Sequence, residues 1–166
     1  MQNAFDFCKN NNISITWTFI HIGLNFLDYK YRIKVSEIKE YASSQILSGN
    51  AQNALVSLLW VDDNSQEEAL TIINELKKGE CADIDLEMRK WVLYVMSVAI
   101  IQITKDVTTE TLFEFNDLYW YLGSPKHFPQ DMRNEDYLHC TDLNEAVSKN
   151  KEWLENELSE LKQLEQ

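Results

Sequence analysis

Cysteine is scarce. The 166 residues hold three, Cys8, Cys81 and Cys140, far apart and never in a CxxC pair. An odd, scattered set argues against a disulfide framework and against a zinc cage. Free thiols, buried or incidental, fit a reducing compartment. Glycine and proline number only 4 and 2, which excludes collagen, Pro-rich linkers and turn-dense β architectures. The longest apolar run, from Trp91 to Ile101, is broken only by Ser97. It is about half of the ~20 residues a membrane span needs, so it is expected to be a buried core helix. The opening MQNAFDFCKNNN has no basic region followed by an apolar stretch, so no signal peptide is expected and the reading is cytoplasmic. Basic residues are also few. Lys plus Arg is 15 against 27 Asp plus Glu, a formal charge of -12 and a pI near 4.6. Such a surface repels nucleic-acid phosphates and suits a basic partner.

What is present is ordinary globular material. Apolar residues make up 45% and charged residues 25%, which argues against disorder. The length fits one domain, and a core of this size needs no staples. Helical periodicity dominates the chain. Ala4, Phe5 and Cys8 give a short first helix. Trp17, Ile20, Leu24 and Leu27 share one face of a helix over 16–27. Ile13 and Ile15 form a short strand in the alternative reading. Asp28 to Lys34 reads as a charged loop. Ser36 is the expected N-cap of a helix through Leu47, with Ile38, Ala42, Ile46 and Leu47 inward. Gly49 and Asn50 stop it, and a helix from Ala51 to about Trp60 follows.

Asn64 with Glu67 matches a capping box ahead of Ala69, Ile72, Ile73 and Leu76, and Gly79 ends that helix. A long helix is expected from Asp85 to Ile103, apolar almost all round after Lys90 and therefore covered on most sides. The next spans about Thr108 to Tyr121, with Leu112, Phe115, Leu118, Tyr119 and Leu122 inward, before Gly123-Ser124-Pro125 breaks it. Residues 125–140 are irregular, a natural place for a functional loop. A last helix covers 141–164, with Leu143, Val147, Leu154, Leu158 and Leu161 on one side. The expectation is a single all-α domain over 1–166 of about seven helices. It is either an irregular bundle or a short helical-repeat-like array. The second option rests on one echo: helix, Gly49, helix, Trp60 against helix, Gly79, helix, Trp91.

No GxGxxG, GxxxxGK[ST], HExxH, GxSxG or EF-hand loop occurs, and no cofactor is expected. His127, Asp131, His139, Cys140 and Asp142 are permissible metal ligands, but their spacing fits no known cage, so no metal is expected. His21 reads as a core or boundary histidine. Tyr119, Trp120 and Tyr121 are consecutive and cannot all face one core, so at least one of them is expected at the surface beside the 123–140 loop, as an interface anchor; packing of all three between helices is the alternative. Carboxylates cluster at Asp62, Asp63, Glu67 and Glu68; at Glu80, Asp83, Asp85 and Glu87; at Asp131, Glu135 and Asp136; and along the last helix, from Asp142 through Glu145, Glu152, Glu155, Glu157 and Glu160 to Glu165. Taken singly, each is a solvated helix face. Their sum gives a long-range field for a cation. The candidate partner-binding residues are therefore Asp62, Asp63, Glu67, Glu68, Asp83, Asp85, Glu87, Tyr121, Asp131, Glu135 and Asp136.

Two resemblances bear on function. The run Arg133-Asn134-Glu135-Asp136-Tyr137-Leu138-His139 resembles the motif of helical HEPN ribonucleases. That resemblance implies His139 as base on a ribose hydroxyl and Arg133 as phosphate clamp. Glu135 and Asp136 would repel an RNA backbone, and a surface-loop Arg and His are the plainer alternative. The second likeness rests on Ile15-Thr16-Trp17, Gly23, Ile38, Tyr41-Ala42, Lys90-Trp91 and Gly123-Ser124-Pro125. With these the chain is similar to a bacterial family known only as a domain of unknown function. As a small, acidic, helical protein without catalytic motifs, it also resembles the immunity proteins of contact-dependent inhibition and related polymorphic toxin systems. That class implies a non-enzymatic inhibitor that covers the basic cleft of a cognate toxin, a nuclease in the leading reading. It touches neither nucleic acid nor membrane. The rival expectation is a helical-repeat adaptor for another protein.

Overall fold

The periodicity is realised as eight helices, with no strand, among residues 2–50, 52–123 and 143–165, which the computed structural model describes. They group into two compact units, Gln2–Trp91 and Val92–Gln166, and the boundary falls inside the sixth helix. Among the described residues no helix is long and apolar enough to cross a membrane.

In the first unit, α1 (Ala4–Asn11) starts at Asn3, whose side chain accepts from Asp6 N, and ends at Asn12 in the left-handed region. An eight-residue helix is marginal alone; Phe7, Cys8 and Ala4 anchor it in the core. α2 (Trp17–Leu24) is capped by Thr16, whose hydroxyl accepts from Phe19 N at 3.0 Å. It stops three residues before the sequence periodicity does. The Gly23 carbonyl accepts from Phe26 N and Ile33 N, so the chain turns there and Leu27 is thrown outward. Gly23 itself is required. A Cβ at this position would sit 2.5 Å from Ile33 Cδ1 and 2.5 Å from Trp91 Cζ3.

α3 (Val35–Leu47) is capped by Lys34, two residues before the expected Ser36 cap. Lys34 N donates to the Glu37 carboxylate at 2.8 Å, and Ile38 and Ala42 are buried. Leu47, read as part of the stripe, is the last helical residue and is exposed. α4 (Asn53–Leu59) buries Leu55 and Leu58. α5 (Gln66–Lys77) buries Ala69, Ile73 and Leu76, with Ser65 at its cap. The expected Asn64–Glu67 box is replaced by a turn in which Asn64 N donates to Asp62. Within this unit α3 packs on α4, α4 on α5, and α2 on α5. The Trp60–Trp91 echo does not mark equivalent places: Trp60 is 85% exposed and Trp91 is 0% exposed.

α6 (Ile84–Ile103) opens on Asp83, whose carboxylate accepts from Asp85 N and Leu86 N. Every residue from Lys90 to Ile100 is buried, as the all-round apolar pattern requires. In the second unit, α7 (Thr109–Tyr121) is capped by Thr108, which accepts from Thr111 N at 3.1 Å while its own N–H donates to the Thr111 hydroxyl. Leu112 and Phe115 are buried. α8 (Leu143–Leu164) buries Val147, Trp153 and Leu161 and exposes Glu145, Glu152, Glu155 and Glu160. Glu157, read with those surface glutamates, is buried instead, since it follows Trp153 by one turn on the inward side.

Candidate protein-docking face

Most of the residues behind the family likeness lie in the scaffold of the first unit; Gly123 belongs to the second unit, and Ser124 and Pro125 lie outside the described residues. The linker 13–16 is held from three sides. Tyr41 Oη donates to Ile15 O at 3.3 Å. Lys90 Nζ donates to Ser14 Oγ at 2.9 Å and to Ser14 O at 3.3 Å. Glu80, in the α5–α6 connection, takes Trp17 N at 2.6 Å, Thr18 N at 3.0 Å and the Thr18 hydroxyl at 3.2 Å. A carboxylate there satisfies N–H groups that a helix start leaves open and opposes the helix dipole. Phe5 stacks on Tyr41 with ring centroids 5.1 Å apart, and Trp17 meets Tyr41 edge-on at 5.5 Å. Burial, then the charges of Glu80 and Cys8, pushes the Tyr41 phenol up to about 12. Trp91 takes Phe19 and Phe26 edge-on at 5.6 and 5.5 Å.

Below this clasp lies a buried ion pair. Lys90 Nζ donates to Glu87 Oε1 at 2.9 Å, with side chains 1% and 3% exposed. Among the described residues Glu87 Oε2 has no hydrogen-bond partner. Glu87 was expected on an exposed docking cluster, and this geometry removes it. At i and i+3 on α6 the carboxylate is drawn inward by the Lys90 ammonium. Asp83 and Asp85 stay exposed, but Asp83 is occupied as the cap of α6 and Asp85 sits in its first turn. These carboxylates fit a helix start better than a docking surface.

The first acidic cluster is different. Asp62, Asp63, Glu67 and Glu68 are all exposed on the α4–α5 connection and the first turn of α5. An open cleft of about 750 Å³ lies here, lined by Asn64, Ser65, Gln66, Glu67, Glu68 and Leu70. Trp60 ends α4 immediately before the cluster and stands out in solvent. Lys39 reaches from α3 to Val61 O at 3.0 Å and to Asp63 at 2.9 Å. That exposed pair contributes about 1 kcal/mol at most, yet it fixes the connection and neutralises Asp63. Among the described residues Asp62, Glu67 and Glu68 make no ion pair.

The same corner is braced from the α2–α3 loop. Arg32 Nε donates to Phe26 O at 2.7 Å and Arg32 Nη1 to Gln66 Oε1 at 3.1 Å. Gln66 Nε2 donates to Leu24 O at 2.9 Å. The Arg32 guanidinium lies 4.1 Å from the exposed Tyr29 ring. A preformed corner that presents an exposed aromatic beside carboxylates is what a protein interface needs from its anchor residues.

Tyr121 is exposed on α7, as expected. Asp131, Glu135 and Asp136 lie outside the described residues, as do Arg133 and His139 of the ribonuclease reading and His127, Cys140 and Asp142 of the metal reading. Among the described residues no group of His, Cys, Asp and Glu is placed to hold a metal. His21 is half-buried on α2; burial first, then the Lys77 ammonium, holds it below its ordinary value of 6.5. Sequence reasoning missed Tyr29, Arg32 and Gln66, and it placed Glu80 only in an acidic cluster and Trp60 only in a repeat echo. Trp60 alone carried a signal, a tryptophan directly ahead of the turn-forming run Asp62 to Ser65.

No curated protein and no solved structure matches the chain. The bacterial family described as "Uncharacterized protein conserved in bacteria (DUF2247)" matches residues 5–158, and the chain belongs to it.

Proposed function

We propose that the chain is a non-enzymatic immunity protein that acts in the cytoplasm. It binds a cognate bacterial toxin, a nuclease in the simplest case, and covers the toxin's basic active-site cleft with an acidic face. One observation carries this reading: Glu67 and Glu68 line an open cleft and, with Asp62 on the preceding connection, stand exposed and unpaired by any described cation, with the exposed Trp60 just before them in the chain. The carboxylates supply a field that steers a cationic partner, and steering raises association from about 10⁵–10⁶ M⁻¹s⁻¹ toward 10⁸–10⁹ M⁻¹s⁻¹ at low salt. Trp60 supplies apolar area that the encounter buries. An inhibitor so placed excludes nucleic acid by sterics and by charge, and it needs no chemistry of its own.

The test is protection. The C-terminal domain of whatever protein the adjacent upstream reading frame encodes is induced in cells that do or do not express this chain. Growth restored by the wild type, and lost with Asp62→Asn, Asp63→Asn, Glu67→Gln and Glu68→Gln together, supports the reading. A neighbouring domain that kills equally with and without the chain overturns it.

A further inference from the structure

A second surface, in the other unit, has a chemistry of its own. The buried side of α7 is Leu112 and Phe115, with Leu118 half-buried. The opposite side carries Glu110, Phe113, Glu114, Asp117, Trp120 and Tyr121, all exposed. Steps of three and four residues put them in one stripe about three turns long. The aromatics are well presented: Phe113 is 38% exposed, Trp120 58% and Tyr121 71%. The helix contains no Lys, Arg or His, and among the described residues Glu110, Glu114 and Asp117 make no ion pair. The charge imbalance also leans this way. Residues 92–166 hold 14 Asp and Glu against 6 Lys and Arg, a net of -8, whereas residues 2–91 hold 13 against 9, a net of -4.

We propose that this face of α7 is a docking surface for an arginine-rich segment of a partner protein. The match is in the pairing of groups. A guanidinium stacks on an indole or phenol ring and forks onto a carboxylate one turn away, which suits Arg better than Lys. Anionic partners, nucleic acid or lipid headgroups, meet three carboxylates in a row and are repelled. Burying three exposed aromatics against the stems of arginine side chains also removes apolar area from water, which a charge-only contact does not do. The inference stands on α7 alone and does not require the reading of the α5 corner.

The experiment titrates the full chain with hexa-arginine at low salt by calorimetry, with hexalysine and hexaglutamate as comparison peptides. Hexa-arginine binds, hexalysine binds more weakly, and hexaglutamate does not bind. Glu110→Gln, Glu114→Gln and Asp117→Asn together weaken hexa-arginine at least tenfold, and Trp120→Ala weakens it at least threefold. The four-carboxylate variant at residues 62, 63, 67 and 68 changes it less than twofold. Tyr121→Ser, at the exposed end of the helix, gives a variant with little packing to lose, its side chain being 71% exposed, and lowers affinity at least twofold. Circular dichroism checks that each variant is folded. Wild-type affinity in the α7 variants, or loss confined to the α5-corner variant, overturns the proposal. Neither outcome bears on protection from a toxin, so the two readings fail separately.

Discussion

Replacing Lys90 by methionine strands the Glu87 carboxylate in the interior. The two side chains are 1% and 3% exposed and meet at 2.9 Å. Glu87 Oε2 already lacks a hydrogen-bond partner among the described residues, and Lys90 compensates the buried charge. Removing one member of such a pair costs about 3–5 kcal/mol, because the remaining charge keeps its desolvation penalty. Against a total stability of about 5–15 kcal/mol for a domain, that is a large fraction. For a chain of this length each kcal/mol moves the midpoint by about 2–4 °C, so Tm falls by roughly 6–20 °C. The double variant Lys90→Met with Glu87→Leu removes both charges and fills similar volume, so it recovers most of that loss and keeps a deficit of about 1–3 kcal/mol from the Ser14 hydrogen bonds that Lys90 no longer donates. Urea unfolding of wild type, both single variants and the double variant closes the cycle. A loss below about 1 kcal/mol in the single variant, or a double variant as unstable as the single, refutes the argument.

Three further outcomes follow from the same unit. Gly23→Ala gains about 1 kcal/mol of helix propensity but drives a methyl into Ile33 and the rigid Trp91 ring, a clash costing about 1–3 kcal/mol or more; urea unfolding gives a net loss. His21 is held below its ordinary value, so the unfolded chain takes up a proton that the folded chain resists. Stability therefore falls as pH drops from about 7 to 5, and His21→Gln flattens that part of the Tm–pH curve. The Tyr41 phenol ionises at about 12, above the ordinary value near 10, so the folded state holds its proton longer and stability declines as pH rises from about 10 toward 12. Absorbance titration of tyrosinate shows a late step that Tyr41→Phe removes.

The interior was legible because burial leaves a pattern in sequence. The apolar run after Lys90 became the buried part of α6, and Leu112 with Phe115 became the inner side of α7. Errors gathered where the pattern outruns the helix. Leu27 and Leu47 keep the helical spacing, but the chain has already turned at Gly23 or reached the last turn of α3, and both side chains face water. Charge misled in the opposite direction. Glu87 and Glu157 look like solvated positions, yet both are buried. Only Lys90, three residues after Glu87, hinted at a pair.

The Glu80 contacts to α2 span more than sixty residues of sequence, and no local motif encodes such a cap. The docking corner was half legible. Asp62, Asp63, Glu67 and Glu68 are a visible cluster, whereas Arg32 and Gln66 support it through contacts that only the fold creates. Trp60 reads as core by residue type, and nothing but its place at the end of α4 brings it to the surface.

The α5 corner is tested most directly by association kinetics. A neighbour-encoded domain against which this chain protects cells is mixed with it, and the association rate is followed from low to physiological salt. The wild type associates well above the unsteered range of about 10⁵–10⁶ M⁻¹s⁻¹ and slows steeply as the screening length shrinks toward ~8 Å. The variant neutralised at Asp62, Asp63, Glu67 and Glu68 associates at least tenfold more slowly with a flatter salt dependence. An association rate that ignores both salt and those four carboxylates contradicts the account.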